Sequence, residues 1–176
     1  MIVLYIIVGF IALLLIVALF AKKDYAVERE GVINAPREKI FNYIKYLKNQ
    51  DNFSKWAGMD PAMKKDFKGT DGMVGFISAW DSNNKNVGKG EQEIKHISEG
   101  KRLDFELRFE KPFKSTSDAY MSTESITDNS TKVKWGFTGK WNYPMNLMGV
   151  FMNMDKMVGP DFQTGLDNLK KLMEKE

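Results

Sequence analysis

Three hydrophobic patterns follow one another along this chain. Residues 1–21, MIVLYIIVGFIALLLIVALFA, contain no charged side chain, and Lys22-Lys23 come directly after them. From Tyr25 onward apolar and polar positions alternate in short runs parted by Gly, Asn and Asp. From Pro144 to the end, apolar positions recur three or four apart. Periods of two and of 3.6 mark strand and helix respectively.

The first pattern predicts a membrane-spanning helix. Twenty-one helical residues rise about 1.5 Å each, roughly 31 Å, against a hydrocarbon core about 30 Å thick. A cleaved secretory signal fits less well: no Lys or Arg precedes the run, and a cut after Ala21 would set Leu19 where a small residue is wanted. The absence of cysteine excludes a lipoprotein signal. Lys22, Lys23 and Arg29 follow the span, so retention of basic residues on the inner side predicts a cytoplasmic C-terminal domain. Residues 1–21 are therefore expected to be an anchor and residues 22–176 one domain.

Within that domain Tyr25 to Ile33 reads as a strand. Asn34-Ala35-Pro36 is a helix start, and Ile40, Phe41, Ile44 and Leu47 then share one face. A second short helix or turn holds Phe53 and Trp56. Strands are expected over Met73–Trp80, Val87–Ile97, Arg102–Glu110 and Ser115–Thr127, with the last running from Val133 to Trp141. The alternation is cleanest at 102–110, where Leu103, Phe105, Leu107 and Phe109 oppose Arg102, Asp104, Glu106, Arg108 and Glu110. In the tail, Phe151, Met154, Val158, Phe162, Leu166, Leu169 and Met173 form one helical stripe. Gly159-Pro160 is expected to kink that helix or divide it.

Charge excludes one broad class. The net charge is +3, two units of which belong to Lys22 and Lys23, and no basic stripe stands out elsewhere. Nucleic acid is not an expected partner. Few residues invite chemistry. His96 is the sole histidine and reads as a surface or rim residue; Glu93, three residues away on a strand, is expected on the opposite face. No metal site and no cofactor is indicated. Gly88-Lys89-Gly90 precedes a strand rather than a helix, so it reads as a bend and not a phosphate loop. Asp104 and Glu106 read as a solvated, charge-paired sheet surface. Asp81, Glu91 and Asp118 are candidates for a cavity mouth. Met145, Met148, Met152, Met154 and Met157 read as core filling in preference to an adaptable lid or a partner-binding segment.

The order of elements, β-αα-β5-α, resembles the START-like helix-grip superfamily (SRPBCC), and within it the polyketide cyclase/dehydrase-like branch. The segments VINAPREKIFNYI (32–44), GTDGMVGFISAWDSNNKNVGKGEQEI (69–94) and MVGPDFQTGLDNLKKL (157–172) carry the resemblance, which spans nearly everything after Tyr25. It implies an α+β domain whose curved antiparallel sheet wraps a long C-terminal helix and encloses a cavity for an apolar ligand. The expected lining is Phe76, Trp80, Phe105, Leu107, Phe109, Trp135, Phe137, Trp141, Phe151, Phe162 and Leu166. The function so implied is binding of a hydrophobic small molecule or lipid beside a membrane. The alternatives are a polyketide cyclase/dehydratase-like enzyme and a protein-binding module of the chaperone-activator type.

Overall fold

The computed structural model describes residues 1–175. Its first element, α1 (Ile2–Phe20), is exposed along its length except at Ala18 and, in part, Leu14. β1 (Asp24–Ile33) leads into α2 (Arg37–Ile44), a 3₁₀ turn (Leu47–Asn52) and α3 (Lys55–Met59). Six further strands follow: β2 (Lys64–Lys68), β3 (Ile77–Asp81), β4 (Lys89–Ser98), β5 (Arg102–Lys111), β6 (Ser115–Thr127) and β7 (Ser130–Lys140). A 3₁₀ turn (Met145–Leu147), α4 (Met148–Phe151) and α5 (Met154–Met173) end the chain. The seven strands form one antiparallel sheet in the order β1-β7-β6-β5-β4-β3-β2. It is the α+β helix-grip architecture, with one strand more than the periodicity predicts.

The extra strand is β2. Its sequence, KKDFK, has no alternating apolar face and is exposed throughout, so pairing with β3 creates it. Lysines on an edge strand discourage further strands from adding there. Strand β3 is shorter than expected because Gly72 and Gly75 adopt φ of +80° and +87°, a region open to glycine, and turn the chain before Ile77. The Asp71 carboxylate secures this turn by accepting from the amides of Leu47 at 2.8 Å and Lys48 at 3.2 Å.

The long helix also differs from expectation. It runs through Pro160, and the division falls at Met152-Asn153 instead, where Met152 is extended and Asn153 caps α5 by accepting from the Lys156 amide at 3.1 Å. Pro160 forgoes one backbone bond, while the cap and the packing of the helix on the sheet retain the rest. The contact with the sheet is close at Gly165: a Cβ there would lie 2.6 Å from the Trp135 ring. Trp135 stacks on Phe162 at 4.9 Å. Phe41, Phe53, Phe76, Ile94, Leu103, Phe105, Met121, Val133, Leu166 and Leu169 fill the core. Each such side chain contributes about 1.5–3 kcal/mol when withdrawn from water.

Candidate functional site

Packing is complete near Trp135 and opens toward the other end of α5. Between the sheet and the helices lies a cavity of about 440 Å³, within the roughly 300–1,000 Å³ usual for small-molecule sites. Its walls follow from alternation. Leu107 and Phe109 on β5, Phe137 on β7 and Tyr25 on β1 face inward; Trp141 follows β7, and Met154, Val158 and Phe162 come from α5. The aromatic rings brace one another edge to face: Trp80–Phe109 at 5.9 Å, Phe109–Phe137 at 6.4 Å and Phe137–Phe162 at 6.4 Å. Tyr25 touches both Phe137 and Trp141, at 5.8 and 5.4 Å. Rings so locked cannot collapse into the void without breaking several contacts, each worth about 0.5–1.5 kcal/mol.

Polar groups gather at one part of the wall: Gln50, Ser54, Ser78, Gln92 and the ion pair Asp51–Lys65, at 2.6 Å. The Gln50 Nε2 is buried and has no hydrogen-bond partner. Such an unpaired donor costs about 1–3 kcal/mol.

Of the expected lining residues, Trp80, Leu107, Phe109, Phe137, Trp141 and Phe162 lie on the cavity wall. Phe76, Phe105, Trp135 and Leu166 do not; they are buried in the solid core. Phe151 is 77% exposed on α4, because the helix break removes it from the α5 stripe. Residues not anticipated include Tyr25, Leu47, Trp56, Met63, Val87, Phe113 and Met145. Tyr25 was findable, since it shares a strand face with Val27. Phe113 and Met145 lie in connections where no periodicity operates. None of the five methionines from 145 to 157 is fully buried. The core-filling reading is therefore corrected: Met145 and Met154 border the cavity.

The outer sheet face carries the remaining candidates. A β-bulge at Lys95 shifts the β4–β5 register, so Glu93 pairs with Glu106 and His96 with Asp104. Glu93 and His96 thereby share the outer face, against the expectation from spacing alone, because the bulge supplies one extra residue. The His96 Nδ1 lies 3.4 Å from Asp104, with the side chain 66% exposed. Arg108 bridges Glu91 at 2.6 Å, Glu93 at 2.7 Å and also Glu106. Hydrogen bonds from Arg108, then Lys95, hold the Glu93 carboxyl below its usual range, and those carboxylates raise the Arg108 guanidinium further. This face is a charge-paired surface. Asp81, Glu91 and Asp118 do not line the cavity; Glu91 is on Arg108, and Asp81 lies 3.9 Å from Lys111 and 4.0 Å from Lys89. Gly88 bends the chain into β4 with φ +67°.

No family model matches the chain, and no curated protein matches it in sequence. Solved structures do. It is similar to truncated norcoclaurine synthase from Thalictrum flavum, with TM-score 0.64 at 12% identity over 87% of this chain and 95% of that one. Ara h 8.0201 gives TM-score 0.57 at 15% identity over 87% and 99%. The Aha1 dimer from Colwellia psychrerythraea gives 0.56 at 15% identity over 86% and 97%. All share the helix-grip fold, and this chain has that fold.

Proposed function

We propose that this protein binds a hydrophobic small molecule or lipid in the cavity between sheet and α5, and that α1 holds the domain at a membrane. The observation that carries the reading is an aromatic-walled void of about 440 Å³ that its own side chains leave unfilled. Interiors are ordinarily packed to crystal-like density, so a braced apolar void of this size favours an occupant. A ligand burying about 200 Å² of apolar surface would gain about 5 kcal/mol at 25 cal/mol per Å², before the cost of its immobilisation. The polar stretch formed by Gln50, Ser54, Ser78 and Gln92 favours a molecule with a polar group on an otherwise apolar body.

The membrane reading is supported by the apolar α1, whose mean hydropathy reaches 3.3, and by Lys22, Lys23 and Arg29 behind it, which favour a cytoplasmic domain. A tether raises the local concentration of a membrane-dissolved ligand without new contacts. A cyclase or dehydratase would need an acid or base poised inside the apolar wall. The ionisable groups that border the cavity are Tyr25, Asp51, Lys65, Lys114 and Lys140; Tyr25 is packed between Phe137 and Trp141, and Lys114 is exposed. Asp51 is engaged by Lys65, and Lys140 lies 3.4 Å from Asp24. Binding is accordingly preferred to catalysis.

Native mass spectrometry of the full chain extracted in mild detergent tests this. A stoichiometric apolar adduct that Phe137→Ala weakens is expected. A chain free of adducts, and unable to take up an environment-sensitive apolar dye, would refute it.

A further inference from the structure

The foot of α1 is joined to the domain by more than the chain itself. Asn146, fully buried, donates from Nδ2 to the carbonyls of Ala18 at 2.5 Å and Ala21 at 3.1 Å. Terminal helix carbonyls lack intrahelical partners, so this side chain serves as their cap. The Trp141 amide donates to the Lys23 carbonyl at 2.8 Å. The segment between β7 and α5 is thus attached to the base of α1, with no free spacer between them.

Strand register shows what else shares that end. Asp24 pairs with Lys140 and Ser117 with Gly139, so the β5–β6 turn at Pro112–Lys114 lies at the same end of the sheet. Lys89 pairs with Lys111, which brings the β3–β4 turn to that end too. Here large apolar side chains stand in solvent: Phe113 is 63% exposed, Val150 56% and Phe151 77%, and Tyr143 and Met145 are exposed as well. Lys22, Lys23 and Lys114 are exposed at the same end, as are Lys140 and its partner Asp24, 3.4 Å apart. Asn86, Pro112, Phe113, Lys114, Asn142 and Met145 are exposed members of the cavity wall, and all come from connections at this end.

We propose that this end of the domain is seated on the bilayer, the cavity mouth facing lipid. Phe113, Tyr143, Met145, Val150 and Phe151 enter the interfacial layer, and the lysines lie among anionic headgroups. The proposal rests on α1 spanning the membrane. Nineteen residues rise about 28 Å, enough for the hydrocarbon core, which leaves Lys22 and Lys23 at its surface. The residues hooked to α1 by Asn146 must then lie at headgroup depth. Aromatic and apolar side chains flanked by lysine suit that layer, and an apolar patch at such a site is covered by lipid instead of water. An apolar molecule then passes between bilayer and cavity without entering bulk water.

Depth-dependent quenching tests this. The chain has no cysteine, so Leu13→Cys, Phe113→Cys, Asp128→Cys and Phe151→Cys each accept one environment-sensitive fluorophore. The full chain is reconstituted in phosphatidylcholine/phosphatidylglycerol vesicles, with either doxyl-labelled lipid or aqueous iodide as quencher. Asp128 lies in the β6–β7 turn, at the far end of an 11-residue strand, roughly 35 Å away at about 3.3 Å per residue. Labels at 13, 113 and 151 should be quenched by doxyl lipid several-fold more than the label at 128, which iodide alone should reach. Lipid quenching at 13 with iodide quenching at 113 and 151 would overturn the seating while leaving the anchor intact. Absence of lipid quenching at 13 would remove the anchor and the seating together. Labels at 113 and 151 shielded from both quenchers would mean that protein, such as a second copy, covers the patch, and would also overturn it.

Discussion

Phe137→Ala separates a ligand cavity from a packing flaw. The ring is nearly buried and touches Tyr25, Phe109 and Phe162 at 5.8–6.4 Å, yet one side borders the void. A fully packed Phe→Ala change costs about 3–5 kcal/mol, part of it from the cavity created. At Phe137 that cavity merges with one already present and fewer contacts are lost. We therefore expect about 2–3 kcal/mol, below the packed range. Phe105 is the matched control: it is 1% exposed and does not line the cavity, so Phe105→Ala should cost the full 3–5 kcal/mol, approximately. In a chain of this length each kcal/mol lowers Tm by about 2–4 °C. The assay is thermal unfolding of the full chain in mild detergent, paired with displacement of an apolar dye by membrane lipid extract. Phe137→Ala should unfold later than Phe105→Ala yet bind the dye more weakly. Equal or greater destabilisation by Phe137→Ala with normal dye binding would refute the assignment of this void as the ligand site.

His96→Ala should leave dye binding unchanged and stability within about 0.5 kcal/mol, as for other exposed positions; loss of binding in dye titration would return catalysis or polar-ligand recognition to the front. N-terminal sequencing of the membrane-bound protein should find residue 1 or 2, whereas a chain beginning near Lys22 would show a cleaved signal. Protease added outside intact spheroplasts should spare the domain, and rapid digestion would reverse the orientation. Asp155 is held below its usual value by hydrogen bonding to Arg29, at 2.6 Å, and Glu93 is lowered chiefly by Arg108. Both are lower in the folded than in the unfolded state, so their stabilisation is present above the unfolded values of about 4 and is lost as pH falls through the folded ones. Unfolding midpoints between neutral and acid pH should therefore decline less steeply in Asp155→Asn, and identical slopes would contradict the assignment.

The element order was readable because short-range patterns encode it. Alternation from Arg102 to Glu110 and from Val133 to Trp141 places side chains on opposite faces whatever the partner strand. The three- and four-residue spacing from Met154 to Met173 likewise needs no tertiary information. The uncharged first 21 residues mark a lipid-compatible helix by composition alone. β2 was invisible because KKDFK has no apolar face, and only the β3 edge makes it a strand. Pro160 does not divide the helix, because the Asn153 cap and the close contact at Gly165 hold it on both sides of one missing hydrogen bond. The bulge at Lys95 moved His96 to the face of Glu93, a register decision that belongs to the β4–β5 pair. The site divided the same way. Inward-facing aromatics were legible as a set, but alternation cannot tell a residue on a void from one in solid packing. That distinction depends on tertiary packing: Trp135 is covered where Gly165 allows contact, and Phe137 borders the void together with Val158 and Phe162. The hook from Asn146 to Ala18 joins residues 128 positions apart, and no local pattern records such a contact.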